Sequence, residues 1–291
     1  MVSKIKTAIL PVAGLGTRLL PLTKAVPKEL LPIYDTPLLQ FAIQEAQDAG
    51  IERLIFVSHP SKKIIERQVK PDGVLMSKLR RRGKDDLADV VLQSEVHADV
   101  EAHFVYQERQ LGLGHAVLCA RELALDRPFA VILPDDLIVG TGCLAEMVAA
   151  YDPVRAGLMV AAMEVSKEDI HKYGAFNSTG RDGKRLPSSG LVEKPAPHDA
   201  PSLFGAVGRY ILPHNIFDEL ARTKPGSGGE IQLTDAIAAM TPDVGLEGFI
   251  FDGRRFDCGH HDGLLEASNW RKHEVECQGK VAPMEARLAG E

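Results

Sequence analysis

Three features of the sequence predict an α/β fold with a mixed, mostly parallel central sheet. Short apolar runs alternate with segments of helical period, as strands alternate with crossover helices. The chain has 291 residues, enough to bury a sizeable core as one large domain. Hydrophobic residues make up 45% and charged residues 25%, the balance of a globular chain rather than a disordered one.

The first strand is 7-TAILPVA-13. The segment 36-TPLLQFAIQEAQDAG-50 reads as a helix. Thr36 caps it, Pro37 suits its first turn, Leu39, Ala42, Ile43 and Ala46 form its apolar stripe, and Gly50 ends it. Further strands follow at 53-RLIFVSH-59, 103-HFVYQ-107, 129-FAVILPDD-136 and 158-LMVAAMEV-165. After residue 165 the texture becomes turn-rich and mixed. In 174-GAFNSTGRDGKR-185 the Thr-Gly and Asp-Gly pairs suggest hairpins, and "SGLVEKP" and "LFGAVGRYIL" read as strands. The pieces 230-EIQLTDAIAAM-240 and 262-DGLLEASNWRKHEVECQ-278 carry helical spacing, and the last residues are expected to fray.

A formal net charge of -6 argues against a broad basic surface for nucleic acid, so any anion site must be local. The four cysteines have no C-x-x-C spacing and suit a reducing compartment. The N-terminal apolar run is too short for a signal peptide and no stretch approaches a membrane span, which makes the cytoplasm the expected location.

Ligands of α/β sheets gather at the carboxyl ends of strands, and "PVAGLGTR" lies where the first strand ends. Gly14 and Gly16 let the backbone turn sharply and present unhindered N–H groups, and Arg18 offers a planar fork of donors to phosphate. The same glycines also suit a plain tight turn. The dinucleotide fingerprint fails, because Leu19 stands where its third glycine belongs, and the Walker lysine is absent. In "TKAVPKELLP" Lys24 reads as solvated, whereas Lys28, between a proline and an apolar run, reads as a point charge for phosphate.

Two strand ends deliver carboxylates: Asp135 in "ILPDD" and Asp257 in "RRFDCGHHDG". Brought to one polyphosphate they would hold Mg²⁺, which takes one or two carboxylates and completes its shell with phosphate oxygens and water. Asp136 reads as a helix cap. The adjacent His260 and His261 read as structural or surface residues rather than zinc ligands. His115 in "GLGHAV" either faces a ligand or starts a helix.

The ordered set "PVAGLGTR", "KAVPKELLPI", "GLGHAVLCA", "ILPDD", "VEKP", "VGRYIL", "EIQLTDAI" and "FDCG", from about residue 5 to 275, closely resembles the bacterial-type UTP-glucose-1-phosphate uridylyltransferases. The resemblance implies a Rossmann-like nucleotidyltransferase fold with helices on both faces of the sheet. It implies a single domain over 1–278, with a nucleotide half to about 165, a sugar half from about 166, and a frayed tail over 279–291. Ala13, Gly14 and Gly16 would line the nucleotide site, Gln107 and Gly112 would recognise the base, Arg18 would contact pyrophosphate, and Lys28 phosphate. Glu193 would bind sugar hydroxyls, Lys194 the sugar phosphate, Gly174 and Gly208 would line the sugar pocket, and Asp135 with Asp257 would hold Mg²⁺. Dimers or tetramers are expected on the same ground. Leucine between the glycines of "GLGTR" resembles the uridylyl branch rather than the thymidylyl branch, and His260 departs from the Asn common after "DCG".

A loop without a nucleophile suffices for such a reaction, because the sugar phosphate oxygen is itself the nucleophile and is already ionised. A thymidylyl or other sugar-1-phosphate nucleotidyltransferase is the alternative enzyme. A silent nucleotide-sugar-binding regulator would be expected to lose Arg18, Asp135, Lys194 or Asp257, all of which are present.

Overall fold

A computed structural model of the chain describes residues 5–178 and 180–277. The expected frayed tail, 279–291, lies outside the described residues. The first half contains β1 (Thr7–Pro11), β2 (Pro32–Ile33), β3 (Thr36–Pro37), α1 (Leu38–Asp48), β4 (Arg53–Ser58), α2 (Lys63–Val69), α3 (Gly73–Arg81), α4 (Asp85–Gln93), β5 (Glu101–Tyr106), α5 (Leu113–Cys119), β6 (Phe129–Ile132), β7 (Asp136–Gly140), α6 (Cys143–Ala150) and β8 (Leu158–Glu164). Then come β9 (Gly174–Ser178), β10 (Arg185–Glu193), β11 (Phe204–Leu212), α7 (Ile216–Arg222), α8 (Leu233–Val244), β12 (Leu246–Ile250), β13 (Gly253–Asp257) and α9 (His261–Cys277).

Among these residues nine strands form one sheet, in the order β5-β4-β1-β6-β11-β8-β12-β10-β9. β5, β4, β1 and β6 are parallel neighbours, whereas β11 runs antiparallel to both β6 and β8. β12 lies parallel to β8, and β10 runs antiparallel between β12 and β9. The alternating first half of the sequence thus builds the parallel region, and the turn-rich second half builds most of the mixed one.

Strands buried on both faces need apolar residues at successive positions, and β1 and β4 have them. Leu10, Leu54 and Phe56 enter one core with Leu39, Ala42, Ile43 and Ala46 of α1. Their neighbours Ile9, Ile55 and Val57 enter the opposite core with Val117 of α5, Phe217 and Leu220 of α7, and Ile237 of α8. Helices therefore cover both faces, and each fully buried side chain of this size contributes about 1.5–3 kcal/mol.

A third, smaller core matters most for function. Leu19, Leu31 and Ile33 from the segment after β1 pack with Leu137, Phe256, Cys258 and Leu264. This cluster fastens that segment to the antiparallel ribbon β7–β13, in which Asp257 lies opposite Asp136, and to α9.

Some local expectations are corrected. Thr36 does not cap α1: pairing of Ile33 with Thr36 holds it extended, its hydroxyl donates to Asp35, and the Leu38 N–H donates to the Leu31 carbonyl. The helix expected over 230–240 begins at Leu233, because Ile231 is held outside it by a donor to Leu111 O and an acceptor from Gly114 N. It then continues through Pro242 to Val244. The Asp-Gly pair lies in the loop of a single hairpin, β9–β10, with Asp182 and Arg185 exchanging backbone bonds around Gly183 at φ +60, while the threonine of the Thr-Gly pair lies outside the described residues.

Candidate active site

The chain leaves β1 with Val12 N–H still donating to Val57 O, and then breaks free of the sheet. The carbonyls of the loop are individually held. Lys62 Nζ donates to Val12 O at 2.8 Å and Gly14 O at 2.5 Å, Gln110 Nε2 to Ala13 O at 2.8 Å, and Thr23 Oγ1 to Gly16 O at 2.8 Å. Among the described residues the N–H groups of Ala13, Gly14, Leu15 and Gly16 have no partner. Gly16 adopts φ +67 and a Cβ there would stand 3.1 Å from Thr23 Cγ2, so this position requires glycine. A Cβ at Gly14 would meet nothing within 4 Å, so its side of the loop is open.

Lys28 reaches Asp135, with Nζ 2.5 Å from Oδ2. Burial alone would raise the Asp135 carboxyl, but the Lys28 charge and hydrogen bond outweigh it and hold the carboxyl below its ordinary value. Burial likewise opposes the Lys28 ammonium, and the carboxylates of Asp135 and then Glu29 together outweigh it, so the ammonium is raised. Lys24 is exposed, as expected.

Asp257 closes the ribbon. Its Oδ1 accepts from Gly259 N–H at 3.0 Å, and the next residue, Cys258, donates its N–H to Asp135 O at 2.8 Å. The two predicted metal carboxylates are thereby brought to one wall. Arg18 completes that wall: a Cβ on Gly259 would come within 2.5 Å of Arg18 Nη2, so the guanidinium lies directly against this turn.

Asp136 is not a helix cap. It opens β7, its Oδ1 accepts from Arg255 Nε at 2.7 Å and also from Nη2, and its Oδ2 accepts from Gly208 N–H at 2.7 Å. A Cβ on Gly208 would lie 2.7 Å from that same oxygen. Arg255 extends the network to the Tyr173 hydroxyl at 2.8 Å. Burial raises the Asp136 carboxyl against the pull of Arg255.

Glu193 ends β10 with Oε2 accepting from Thr234 Oγ1 at 2.8 Å and Oε1 2.9 Å from Lys194 Nζ. Lys194 is held at φ +43, with its N–H on Tyr173 O. Gly174 lies beneath the pair, where a Cβ would stand 3.1 Å from Thr234 Cγ2 and 3.5 Å from Glu193 Oε2. One cavity of about 860 Å³ is lined by Arg18, Asp135 and Asp257 together with Gly174, Glu193, Lys194 and Gly208.

Ala13, Gly14, Gly16, Lys28, Gln107 and Gly112 are not among the residues lining this cavity. Lys28 joins it through Asp135. Gln107 is buried, and its Nε2 is 3.1 Å from Gly112 O and 2.9 Å from His115 Nδ1. Gly112 adopts φ +98 against Glu230 and Ile231, where a Cβ would lie 2.7 Å from Glu230 Cβ. His115 lies in the first turn of α5; burial, then the charge of Arg109, lowers its pKa.

His260 accepts from Gly263 N–H through Nδ1, lies 3.7 Å from Asp257 Oδ2, and stands at the cavity rim. Among the described residues no three His, Cys, Asp or Glu side chains group to hold a metal ion. Two carboxylates with a cationic group already drawn to one of them have the donor chemistry for a hard divalent cation, which needs no third protein ligand when phosphates are present.

Arg255, Tyr173, Thr234, Glu29 and Lys62 were not legible as site residues. Arg255 had a signal: it stands two residues before Asp257, on the same face of a strand. Lys62 in "HPSKKIIE" carried none.

The family described as nucleotidyl transferase matches residues 7–274. The chain is 40% identical over 269 residues to a UTP–glucose-1-phosphate uridylyltransferase of Bacillus subtilis (strain 168), covering 92% of this chain and 90% of that one. It is 40% identical over 280 residues to the enzyme of that name from Pseudomonas aeruginosa, covering 95% and 99%. Among solved structures, a UDP-glucose pyrophosphorylase complexed with UDP-glucose superposes with a TM-score of 0.82 at 36% identity, covering 93% of this chain and 99% of that one. A UTP-bound UGPase from Acinetobacter baumannii superposes with a TM-score of 0.85 at 38% identity, covering 96% and 95%.

Proposed function

The chain belongs to the nucleotidyl transferase family, and from that premise we propose that it transfers uridylyl from UTP to glucose 1-phosphate, giving UDP-glucose and pyrophosphate. The observation that carries this reading is that one cavity brings Arg18, Asp135 and Asp257 together with Glu193 and Lys194. Each of the two groups pairs a cation with carboxylates, Arg18 with Asp135 and Asp257, and Lys194 with Glu193, as a site for two phosphates and a metal ion would require.

The phosphate oxygen of glucose 1-phosphate attacks the α-phosphorus of UTP in line; a new P–O bond forms as the bond to the β-phosphate breaks and pyrophosphate leaves. No protein nucleophile is consumed, so catalysis is alignment and charge neutralisation. The open amides of Ala13, Gly14 and Gly16 hold the nucleotide, while Lys28 contacts phosphate and Arg18 stabilises the departing pyrophosphate. Gln107 and Gly112 shape the base pocket, Gln107 holding the Gly112 carbonyl in place. Lys194 grips the sugar phosphate, Glu193 the sugar hydroxyls, and Gly174 and Gly208 leave room for the ring. Asp135 and Asp257 would hold Mg²⁺, which supplies charge neutralisation on the phosphates.

We read the chain as one domain over 1–278, its nucleotide half to about residue 165 and its sugar half beyond, working as a cytoplasmic dimer or tetramer. Pyrophosphate release with Mg²⁺, each nucleoside triphosphate and a panel of sugar 1-phosphates tests the reading. UTP with glucose 1-phosphate is expected to be the fastest pair; faster release from ATP or GTP would overturn it.

A further inference from the structure

Lys62 is nine-tenths buried, stands outside the cavity wall, and has no part in the reaction described above. Its ammonium nonetheless has three accepting groups: Val12 O at 2.8 Å, Gly14 O at 2.5 Å and the Glu29 carboxylate, Oε2 at 3.0 Å and Oε1 at 3.3 Å. Glu29 itself is 1% exposed. A buried ion pair gives little net stability compared with apolar residues of the same volume, so stability alone is a weak reason for one beneath this loop.

The direction of the two carbonyls supplies a better reason. A peptide unit is planar and trans, so the C=O of one residue and the N–H of the next point opposite ways. By holding the carbonyls of Val12 and Gly14, Lys62 turns the N–H groups of Ala13 and Leu15 away from itself. Gln110, holding the Ala13 carbonyl, sets the Gly14 N–H in the same manner. These three are among the four N–H groups of the loop, with that of Gly16, that have no partner among the described residues. A loop so fixed need not be ordered when an anion arrives.

We propose that Lys62, with Glu29 as its counter-ion, is a positioning residue that pre-sets the 12–15 backbone to receive the oligophosphate of the nucleotide. The proposal rests on the reading of this loop as the triphosphate site. Lys62 touches no substrate; it acts through the amides it aims.

Removing Lys62 alone strands a buried carboxylate, so the main variant is Lys62→Met with Glu29→Gln, which removes the pair together. Calorimetric titration of the full chain with inorganic triphosphate and Mg²⁺ needs neither base nor sugar. The wild type is expected to bind, and the double variant, with unchanged circular dichroism, to bind about tenfold more weakly or worse. Its KM for UTP and for pyrophosphate should rise in step, while KM for glucose 1-phosphate stays. In Lys62→Ala, added ethylammonium or propylammonium should restore the KM for UTP and leave that for glucose 1-phosphate unchanged, a split that restored folding alone would not give, and this measurement stands even if the double variant does not fold. Unchanged triphosphate affinity in the double variant, no affinity in the wild type, or no alkylammonium rescue would each overturn the proposal. Failure of the functional reading is a separate event: the wild type would bind triphosphate yet release no pyrophosphate from UTP and glucose 1-phosphate.

Discussion

The N–H of Cys258 donates to the carbonyl of Asp135 at 2.8 Å, binding the end of β13 to the turn that opens β7. Two residues 123 positions apart are thereby fixed as neighbours, and with Cys258 comes Asp257. The metal pair of the proposed reaction is thus set by backbone geometry rather than by side-chain reach.

Asp257→Ala is expected to abolish most turnover at limiting Mg²⁺ while costing little stability, since it removes one hydrogen bond from Gly259, worth about 0.5–1.5 kcal/mol. Asp135→Ala should lose turnover as well, and should also lower Tm, because it leaves the Lys28 ammonium without its carboxylate. Melting curves beside Mg²⁺-dependent rates check both; full activity in both variants at low Mg²⁺ would exclude this pair as the metal site.

The same pair sets a pH dependence of stability. The Asp135 carboxyl is depressed below 3.8 by Lys28, so its contribution is present above that unfolded value and is lost as pH falls through the folded one. The Lys28 ammonium is raised above 10.5 by Asp135, so its contribution is full below that value and is lost as pH rises through the folded one. The Tm difference between wild type and Asp135→Asn should therefore be flat from about pH 5 to 9 and shrink in acid below that window. A difference that grows in acid would contradict the assignment.

Gly259→Ala offers a test of Arg18 that leaves Arg18 in the sequence. The new methyl would come within 2.5 Å of Arg18 Nη2, the far end of a flexible side chain, so the guanidinium must move, while Asp257 Oδ1 at 3.0 Å need give by only a few tenths of an ångström. KM for pyrophosphate in the reverse reaction is expected to rise several-fold, by about 1 kcal/mol, with Tm nearly unchanged. Unchanged pyrophosphate kinetics would remove Arg18 from that role.

Lys194→Ala should weaken use of glucose 1-phosphate by roughly ten- to a hundred-fold, since a charge-assisted phosphate contact is worth about 1.5–3 kcal/mol. KM for UTP should change far less, and Arg18→Ala should show the reverse pattern. Separate substrate titrations of the two variants decide it.

Much of this organisation was legible in the sequence because apolar period reports burial. The runs of β1, β4, β6 and β8 and the stripe of α1 stand where the pattern put them. Strand ends likewise marked Asp135 and Asp257. What the pattern could not carry was pairing between distant segments. Thr36 looked like a cap until β2–β3 pairing took it, and Asp136 looked like one until Arg255 and Gly208 claimed its oxygens. Lys62 was illegible for the same reason: its partners, Val12, Gly14 and Glu29, precede it by 50, 48 and 33 residues.

Direct transfer within one cavity is tested most sharply by following pyrophosphate and labelled uridylyl together, with UTP alone and with UTP plus glucose 1-phosphate. Pyrophosphate is expected only when both substrates are present, one for each UDP-glucose formed, with no label retained on the protein. A burst of pyrophosphate from UTP alone, with uridylyl left on the chain, would contradict attack by the sugar phosphate itself.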